Sequence, residues 1–261
     1  MWIGICVALA CGGVTSSVRG DEAPEEEDKH PTDAGEGRSS PLPKHGFVSL
    51  SFSQDVLVLG SSEDVCSPAS QTGGNFSCFR SQGSQYLGTP QAGHDTLNAG
   101  LAFAATRVAI GGDVFVAERV SLGLRVGTAF RGGGPIASNG QGFLPLLLEG
   151  RAAYWFPTLW PAPSVIPNLF LAGGIAEVDA TTPIEIHENS RAVPAPSQLD
   201  NPRTQTLDVW QKTGSGFVGA GAGVFIPIGA SHGVLAELKG MFLFPSTGGA
   251  MSLGLGYAFG L

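Results

Sequence analysis

The last eleven residues alternate between large, mostly apolar side chains and small ones, and this pattern constrains the fold most strongly. Every second residue from Met251 to Leu261 is large, and every second residue from Ser252 to Gly260 is serine, glycine or alanine. Successive side chains of a strand point to opposite faces, so one face is apolar and the other almost bare. A water-soluble sheet normally has a polar outer face. This stretch therefore favours a barrel strand between lipid and a narrow lumen.

The same period of two recurs upstream and predicts about eight strands. No run of about eighteen apolar residues follows residue 10, so a membrane location requires a closed barrel. A Gly-Gly-Asp sequence at residues 111–113 predicts a tight turn after the second strand. The predicted fold class is all-β, an antiparallel up-and-down transmembrane β-barrel. Its strands are predicted over residues 47–58, 97–110, 114–130, 143–156, 168–178, 209–228, 234–244 and 251–261.

Composition divides the chain into three regions. Residues 1–20 are predicted to be an export signal, because a short apolar run ends in the small-x-small cleavage pattern Ala8-Leu9-Ala10. Cys11 follows directly, so lipidation is an open alternative. Residues 21–45 are acidic and proline-rich without a periodic apolar face, which predicts a disordered tether. Residues 46–261 contain the alternating strands and are predicted to be the barrel.

The connections between the predicted strands differ in length. The long ones, residues 61–95, 131–142 and 179–206, follow the first, third and fifth strands, so they lie at one end of an up-and-down barrel. Outer-membrane barrels combine short periplasmic turns with long external loops. We therefore expect these three loops to be external and both termini of the barrel to be periplasmic.

Charged residues within the predicted strands are expected on the lumen side. A charge facing mid-bilayer lipid costs about 2–4 kcal/mol, which makes inward placement close to obligatory. We interpret the set as structural ion pairs that plug the lumen, and a selectivity constriction or proton-active pair is the alternative. The set comprises Arg125, Glu149, Arg151, Glu237 and Lys239, with Glu177 and Asp55 as less secure members.

Aromatic residues gather at the ends of two predicted strands, as an interfacial girdle requires. The alternative is an ordinary core corner. The predicted interfacial aromatics are Tyr154, Trp155, Phe156, Trp160, Tyr257 and Phe259.

Two cysteines lie in the first long loop. Cys66 and Cys78 form a local pair in a polar segment of an exported chain, which predicts a disulfide. Two free thiols are the alternative.

The sequence offers little for catalysis. Ser231 and His232 are the candidate pair for a barrel-wall hydrolase, but adjacent residues in a turn point in different directions. No metal-ligand spacing, phosphate-binding loop or dinucleotide fingerprint is present in the sequence. We expect no enzymatic activity, no cofactor and no metal.

Four sequence features together resemble known barrels. The chain resembles the small outer-membrane barrels of Gram-negative bacteria, the class of outer-membrane proteins A and X. It is still more similar to a group of barrel proteins from myxobacteria. That group shares a two-cysteine first loop (here Cys66 to Cys78) and segments like those at Gly123–Phe130, Leu148–Phe156 and Leu255–Gly260.

The resemblance implies a fold and an outer-membrane location, but no particular activity. The expected partners are outer-membrane lipid and the barrel assembly machinery, with no nucleic acid, and the expected state is a monomer. Barrels of this class usually end in phenylalanine, so recognition by the assembly machinery would depend partly on Tyr257 and Phe259. The predicted function is a non-enzymatic scaffold that presents external loops for adhesion, envelope integrity or binding. A small pore or an apolar-solute transporter is the alternative.

Overall fold

The computed structural model describes residues 45–73, 75–136, 142–156, 165–189, 204–229 and 231–261. The predicted export signal and the predicted tether up to residue 44 lie outside the described residues. The helix and strands have these bounds: β1 Gly46–Leu59, α1 Pro68–Gly73, β2 Phe76–Arg80, β3 Gly100–Ala117, β4 Val120–Arg131, β5 Leu146–Trp155, β6 Ile166–Glu177, β7 Ala180–His187, β8 Thr204–Gln211, β9 Gly214–Pro227, β10 His232–Phe244 and β11 Gly248–Gly260.

Eight antiparallel strands form a closed barrel in the order β1-β11-β10-β9-β6-β5-β4-β3. The first and last strands close it, with partners running from Phe47 opposite Gly260 to Val58 opposite Gly249. Every barrel strand is thus paired along both edges, as a bilayer core requires. The predicted all-β class, up-and-down order and strand number are confirmed. No helix in the described ranges is long and apolar enough to span a membrane.

The two ends of the barrel differ. The turn end holds both barrel termini, the short β3–β4 and β9–β10 turns and the connection between β5 and β6. The loop end holds the β10–β11 turn and the long connections after β1, β4 and β6. The three long connections therefore start and end at the same end of the barrel, as the strand parity predicts.

The outer wall of the barrel is apolar. Large side chains such as Leu124, Leu171 and Leu253 are more than 60% exposed, and each of the eight strands carries exposed large apolar residues. Gln54 is a polar exception at a β-bulge between β1 and β3. Its amide donates to the Ala104 carbonyl at 3.2 Å and its amide oxygen accepts from Thr106 at 2.8 Å, so the irregular backbone keeps its hydrogen bonds.

The predicted turn at Gly111–Asp113 is wrong, because β3 continues through it to Ala117. Gly-Gly-Asp is typical of a hairpin turn. Here, however, Gly111 leaves room for a neighbouring side chain. Gly111 faces the lumen, where a Cβ would lie 2.8 Å from the Arg125 side chain. The actual turn is formed by residues 118–119.

A second sheet lies at the loop end, in segments whose sequence predicts polar loops. Strands β2, β8 and β7 form this loop-end sheet, in that order, all antiparallel. The predicted strand 209–228 is two strands, because the chain bends at Gly214, whose φ is +85°. These segments are mostly polar, so their sequence shows no clear apolar alternation. They nevertheless contribute apolar residues to a core, since Val65, Ile186 and Leu207 are fully buried.

Candidate functional site in the barrel lumen

All charged residues in the central parts of the eight barrel strands point inward. Arg131 and Glu177 are not part of this set, because they are the last residues of β4 and β6, at the loop-end rim. Four carboxylates face four cations, so the formal charges balance. The inward set is Asp55, Asp113, Glu149 and Glu237 with Arg107, Arg125, Arg151 and Lys239.

Glu237 on β10 is the hub of these contacts. Its two carboxylate oxygens accept from both terminal nitrogens of Arg125, at 2.6 and 3.0 Å. One of them also accepts from Arg151 Nη1 at 2.6 Å. Glu237 therefore links β10 to β4 and β5 across the lumen, and paired, charge-assisted bonds of this kind are the strong ones.

Two further carboxylates complete the arrangement. Lys239 donates to Glu149, and Arg125 Nη1 lies 3.9 Å from the other Glu149 oxygen. Asp113 Oδ1 lies 3.5 Å from Arg151 Nε. We call this six-residue group the lumen charge cluster: Asp113, Arg125, Glu149, Arg151, Glu237 and Lys239. Each of these contacts joins two different strands, and none joins the two charges that lie two residues apart on one strand, Glu149 with Arg151 or Glu237 with Lys239.

Aromatic rings and small residues complete the packing of the lumen charge cluster. The Arg151 guanidinium lies 4.4 Å from the Phe170 ring centre, and Lys239 Nζ lies 4.9 Å from that of Phe217. Gly123 is needed for space, since a Cβ there would lie 2.5 Å from an Asp113 oxygen. These contacts hold the long cations across the axis of the barrel.

An aromatic layer fills the lumen at the turn end. Trp155 packs against Phe47, Phe115 and Phe225 with ring centres 5.7–6.4 Å apart. Its indole N–H donates to Ser121 Oγ at 2.9 Å. Trp155 is 0% exposed, so its prediction as an interfacial aromatic is wrong. Neighbours on a strand face opposite sides, and with Tyr154 outside, Trp155 must point inward.

The other aromatics lie on the outer wall at the turn end. Tyr154 contacts Phe156, and Tyr257 contacts Phe259, both with ring centres 4.8 Å apart. Their interfacial role stays a prediction. Trp160 lies outside the described residues.

A third layer lies near the loop end. Arg107 Nε donates to Asp55 at 2.7 Å, and its Nη2 donates to the Glu177 carbonyl. The Glu177 carboxylate accepts from the Leu144 N–H at 2.9 Å. Leu57 and Leu243 are fully buried in this part of the barrel. Arg107 is absent from the set predicted from the sequence. A register shift between Thr106 and Arg107 interrupts the alternation that runs from the start of β3.

The space left among the charges is small. A cavity of about 30 Å³ adjoins Arg125, Glu149, Glu237 and Lys239, which is room for one or two water molecules. Glu149 Oε1 and Arg151 Nη2 are buried without hydrogen-bond partners, and water in such a space is the natural partner for atoms of this kind. The arrangement can hold charges in place across the lumen.

The candidate catalytic pair is not assembled. The His232 ring stacks on Tyr257 with centres 5.9 Å apart, and the Ser231 carbonyl accepts from the Gly260 N–H. Both contacts belong to the turn end of the wall. No group of three His, Cys, Asp or Glu within the described ranges is arranged to hold a metal ion.

The predicted disulfide between Cys66 and Cys78 is present at the loop end. Around it, Gln71 Nε2 donates to the carbonyls of Cys66 and Tyr86 at 2.9 and 3.0 Å. The Tyr86 hydroxyl donates to Glu188, and burial beside this carboxylate raises the pKa of Tyr86 above its usual value. The first and third long connections are therefore joined by side-chain bonds.

An apolar outer wall, a closed strand order and a lumen filled by paired charges define an eight-stranded transmembrane β-barrel. The sequence matches no family model and no curated protein. The myxobacterial resemblance stays a prediction.

Solved barrels have a low level of similarity to this chain. The N-terminal β-barrel domain of Pseudomonas aeruginosa OprF is 15% identical, covering 82% of this chain and 99% of its own, with a TM-score of 0.33. Neisserial surface protein A is 10% identical, covering 83% and 97%, with a TM-score of 0.41. P. aeruginosa OprG is 8% identical, covering 85% and 100%, with a TM-score of 0.33. Similarity this low has no bearing on function.

Proposed function

We propose that this protein is a non-enzymatic outer-membrane barrel, closed by its lumen charge cluster, that serves as a scaffold for the loop-end sheet. The proposal rests on one observation: the charged side chains of the barrel strands face the lumen, and the large apolar side chains face outward. Charges such as Glu149 and Arg151 are at most 4% exposed inside, while leucines and phenylalanines cover the outside. This distribution is the reverse of that in a water-soluble barrel.

The filled lumen favours a scaffold over a pore or a transporter. An eight-stranded barrel has an interior only about wide enough for side chains, and here an aromatic layer, ion pairs and apolar residues occupy successive levels. The cavity beside the cluster has a volume of about 30 Å³, which is large enough for water and far below the roughly 300–1,000 Å³ of a site for a small organic molecule.

The proposed orientation has the turn end in the periplasm and the loop end outside. Short turns and both barrel termini at one end, with aromatic pairs on its outer wall, fit a periplasmic interface. The loop-end sheet would then be displayed for adhesion, envelope integrity or binding. Its partners in the membrane would be lipid and the barrel assembly machinery, and the barrel would act as a monomer.

Cell fractionation with surface proteolysis tests this proposal. We expect the protein in the outer-membrane fraction, with migration that changes on boiling because a closed barrel resists detergent. Protease added to intact cells should cut within residues 61–95 or 179–206 and spare the turn end. Recovery in the soluble periplasm, or cleavage only after the outer membrane is broken, would contradict it.

A further inference from the structure

A single two-stranded ribbon joins the barrel to the loop-end sheet. The β6–β9 ladder ends with Glu177 opposite Gly214, and the β7–β8 ladder begins with Ala180 opposite Gln211. The two ladders have the same register, and only two residues on each strand separate them. We call these four residues the neck: Val178 opposite Thr213, and Asp179 opposite Lys212. A change in the angle of the ribbon would therefore occur at the neck.

The neck is a bend held by few hydrogen bonds. The Val178 N–H donates to the Thr213 carbonyl at 3.1 Å, and the Thr213 hydroxyl donates to the Val178 carbonyl. The Lys212 N–H instead donates to the Asn75 carbonyl at 2.7 Å, so the ladder is interrupted at the second neck pair. The first long connection leaves the barrel through exposed residues, 60–61 and 98–99, and is able to follow a movement of the sheet.

A buried carboxyl lies in the neck. Asp179 is 0% exposed, and neither of its side-chain oxygens has a hydrogen-bond partner within the described ranges. The charged groups that face it are Glu177 on β6, Arg107 on β3 and Lys212 across the neck, and the Thr213 N–H lies close without reaching hydrogen-bond geometry. Burial, with the Glu177 carboxylate second, raises the pKa of Asp179 to about 7.

Loss of the proton would leave a buried negative charge without a direct bond. Arg107 Nε already donates to Asp55 at 2.7 Å, and its Nη2 donates to the Glu177 carbonyl. A buried carboxylate that lacks hydrogen bonds is strongly unfavourable, whereas the neutral carboxyl is tolerated more easily. Opening of the neck would admit water to the ionised group, so ionisation favours the open form.

We propose that the neck is a hinge between the barrel and the loop-end sheet, closed when Asp179 is protonated and open when it is ionised. Both ladders stay intact in the open form, because only the four neck residues lie between them. Control of how the sheet is displayed rests on the proposed scaffold function, whereas the hinge itself is a property of the fold.

The direction of the pH dependence follows from proton linkage. The closed neck keeps a proton up to about pH 7, and an open, hydrated Asp179 would lose it near pH 4. Closing therefore takes up one proton between these values. The equilibrium constant for closing falls about tenfold for each unit that the pH rises from about 4 to 7, and it is constant above that range.

Hydrogen exchange of the folded full-length chain in detergent, measured by mass spectrometry from about pH 5 to 8, tests the hinge. The measured quantity is the protection factor, corrected for the intrinsic exchange rate at each pH. We expect it to fall about tenfold per pH unit up to about pH 7 in peptides spanning residues 177–181 and 211–215. Peptides from within the β6–β9 and β7–β8 ladders should keep their protection.

Asp179→Asn removes the titrating group with little change of shape. Protection of its neck should be independent of pH and exceed that of the wild type by up to about 1,000-fold at pH 8. Asp208→Asn, at a partly exposed carboxylate on β8, is the matched control and should keep the wild-type profile. Boiling-dependent migration checks that each variant is folded.

Constant neck protection in the wild type, or an unchanged pH profile in Asp179→Asn, would overturn the proposal. Loss of protection throughout β7 and β8 with the same profile would overturn it as well, because the sheet would then unfold instead of turning about the neck. None of these results would contradict an outer-membrane scaffold, which fractionation tests separately.

Discussion

The barrel wall and the loop-end sheet distribute the same residue types in opposite ways. In the wall, apolar side chains face out and paired charges such as Arg125 and Glu237 face in. In the loop-end sheet and its connections, Val65, Ile186 and Leu207 are buried and Glu185 is exposed. The two regions therefore fold toward different surroundings, lipid for the wall and water for the sheet.

The regions also differ in what holds them together. The barrel has a continuous ladder of backbone hydrogen bonds around its circumference and cross-lumen ion pairs. The loop-end sheet has one disulfide and a few buried polar side chains, such as Gln71 and Tyr86. Substitutions in one region should therefore leave the other largely intact.

The largest expected effect is on the barrel. Glu237→Ala removes the carboxylate shared by Arg125 and Arg151, leaving both guanidiniums buried with less compensation. We expect a loss of about 3–5 kcal/mol in the free energy of unfolding, measured by urea titration in detergent. Glu63→Ala, at an exposed carboxylate, is the control. A loss under about 1 kcal/mol would show that the ion pairs do not stabilise the barrel.

The second effect concerns the junction between the two regions. Asp179 follows β6, is 0% exposed and lies near Glu177, Arg107 and Lys212, and burial raises its pKa to about 7. The folded state then keeps a proton that the unfolded chain loses near pH 4, so stability falls as pH rises from about 4 to 7. Asp179→Asn should remove this slope and stabilise the protein at pH 8 by up to about 4 kcal/mol.

Unfolding of both proteins across pH 4 to 8 measures the slope. The control is Asp208→Asn, which alters a partly exposed carboxylate of the loop-end sheet. A difference in stability between wild type and Asp179→Asn that stays constant over this range would mean that the pKa of Asp179 is not raised.

The third effect isolates the loop-end sheet. Replacing both Cys66 and Cys78 by alanine opens a link between residues 12 apart, which is worth roughly 3 kcal/mol in the chain-entropy model. We expect faster proteolysis within residues 61–95, with boiling-dependent migration of the barrel unchanged. Loss of the folded barrel band would contradict the separation of the two regions.

The smallest effect is within the aromatic layer. Trp155→Phe keeps a ring but removes the indole N–H that donates to Ser121. The cost should be about 1–2 kcal/mol, because the buried Ser121 hydroxyl loses its donor and keeps only the 3.5 Å bond that it donates to Asp113. Tyr154→Phe, one residue away on the outer wall, is the matched control. Equal free energies of unfolding for the two variants would contradict a stabilising hydrogen bond from Trp155 inside the lumen.

The sequence predicts the wall better than the loop end, for a physical reason. A strand between lipid and a narrow lumen must turn its large apolar residues outward and its charged or small residues inward. Leu148 and Glu149 could therefore be assigned to opposite faces from the sequence alone. The turn predicted at Gly111 was wrong because glycine occurs both in turns and where a neighbouring side chain comes close. The close neighbour of Gly111 is Arg125 on another strand, which the local sequence does not show. The loop-end sheet depends on contacts between distant segments, such as Tyr86 with Glu188, which have no local period.

Five of the six members of the lumen charge cluster were predicted from the sequence, but their pairing was not. Alternation alone placed Arg125, Glu149, Arg151, Glu237 and Lys239 inward. Which carboxylate meets which cation depends on strand register and barrel closure, and so Glu237 meets Arg125 and Arg151 instead of Lys239. A strict count of alternation back from Val114 would have added Asp113 and Arg107.

Ion conductance of the folded barrel in a planar lipid bilayer tests the closed lumen most directly. We predict that the wild-type protein inserts without stable single-channel currents, because the aromatic layer and the lumen charge cluster fill the interior. Stable wild-type currents that are unchanged in Glu149→Ala and in Arg151→Ala would contradict both the plug and the scaffold.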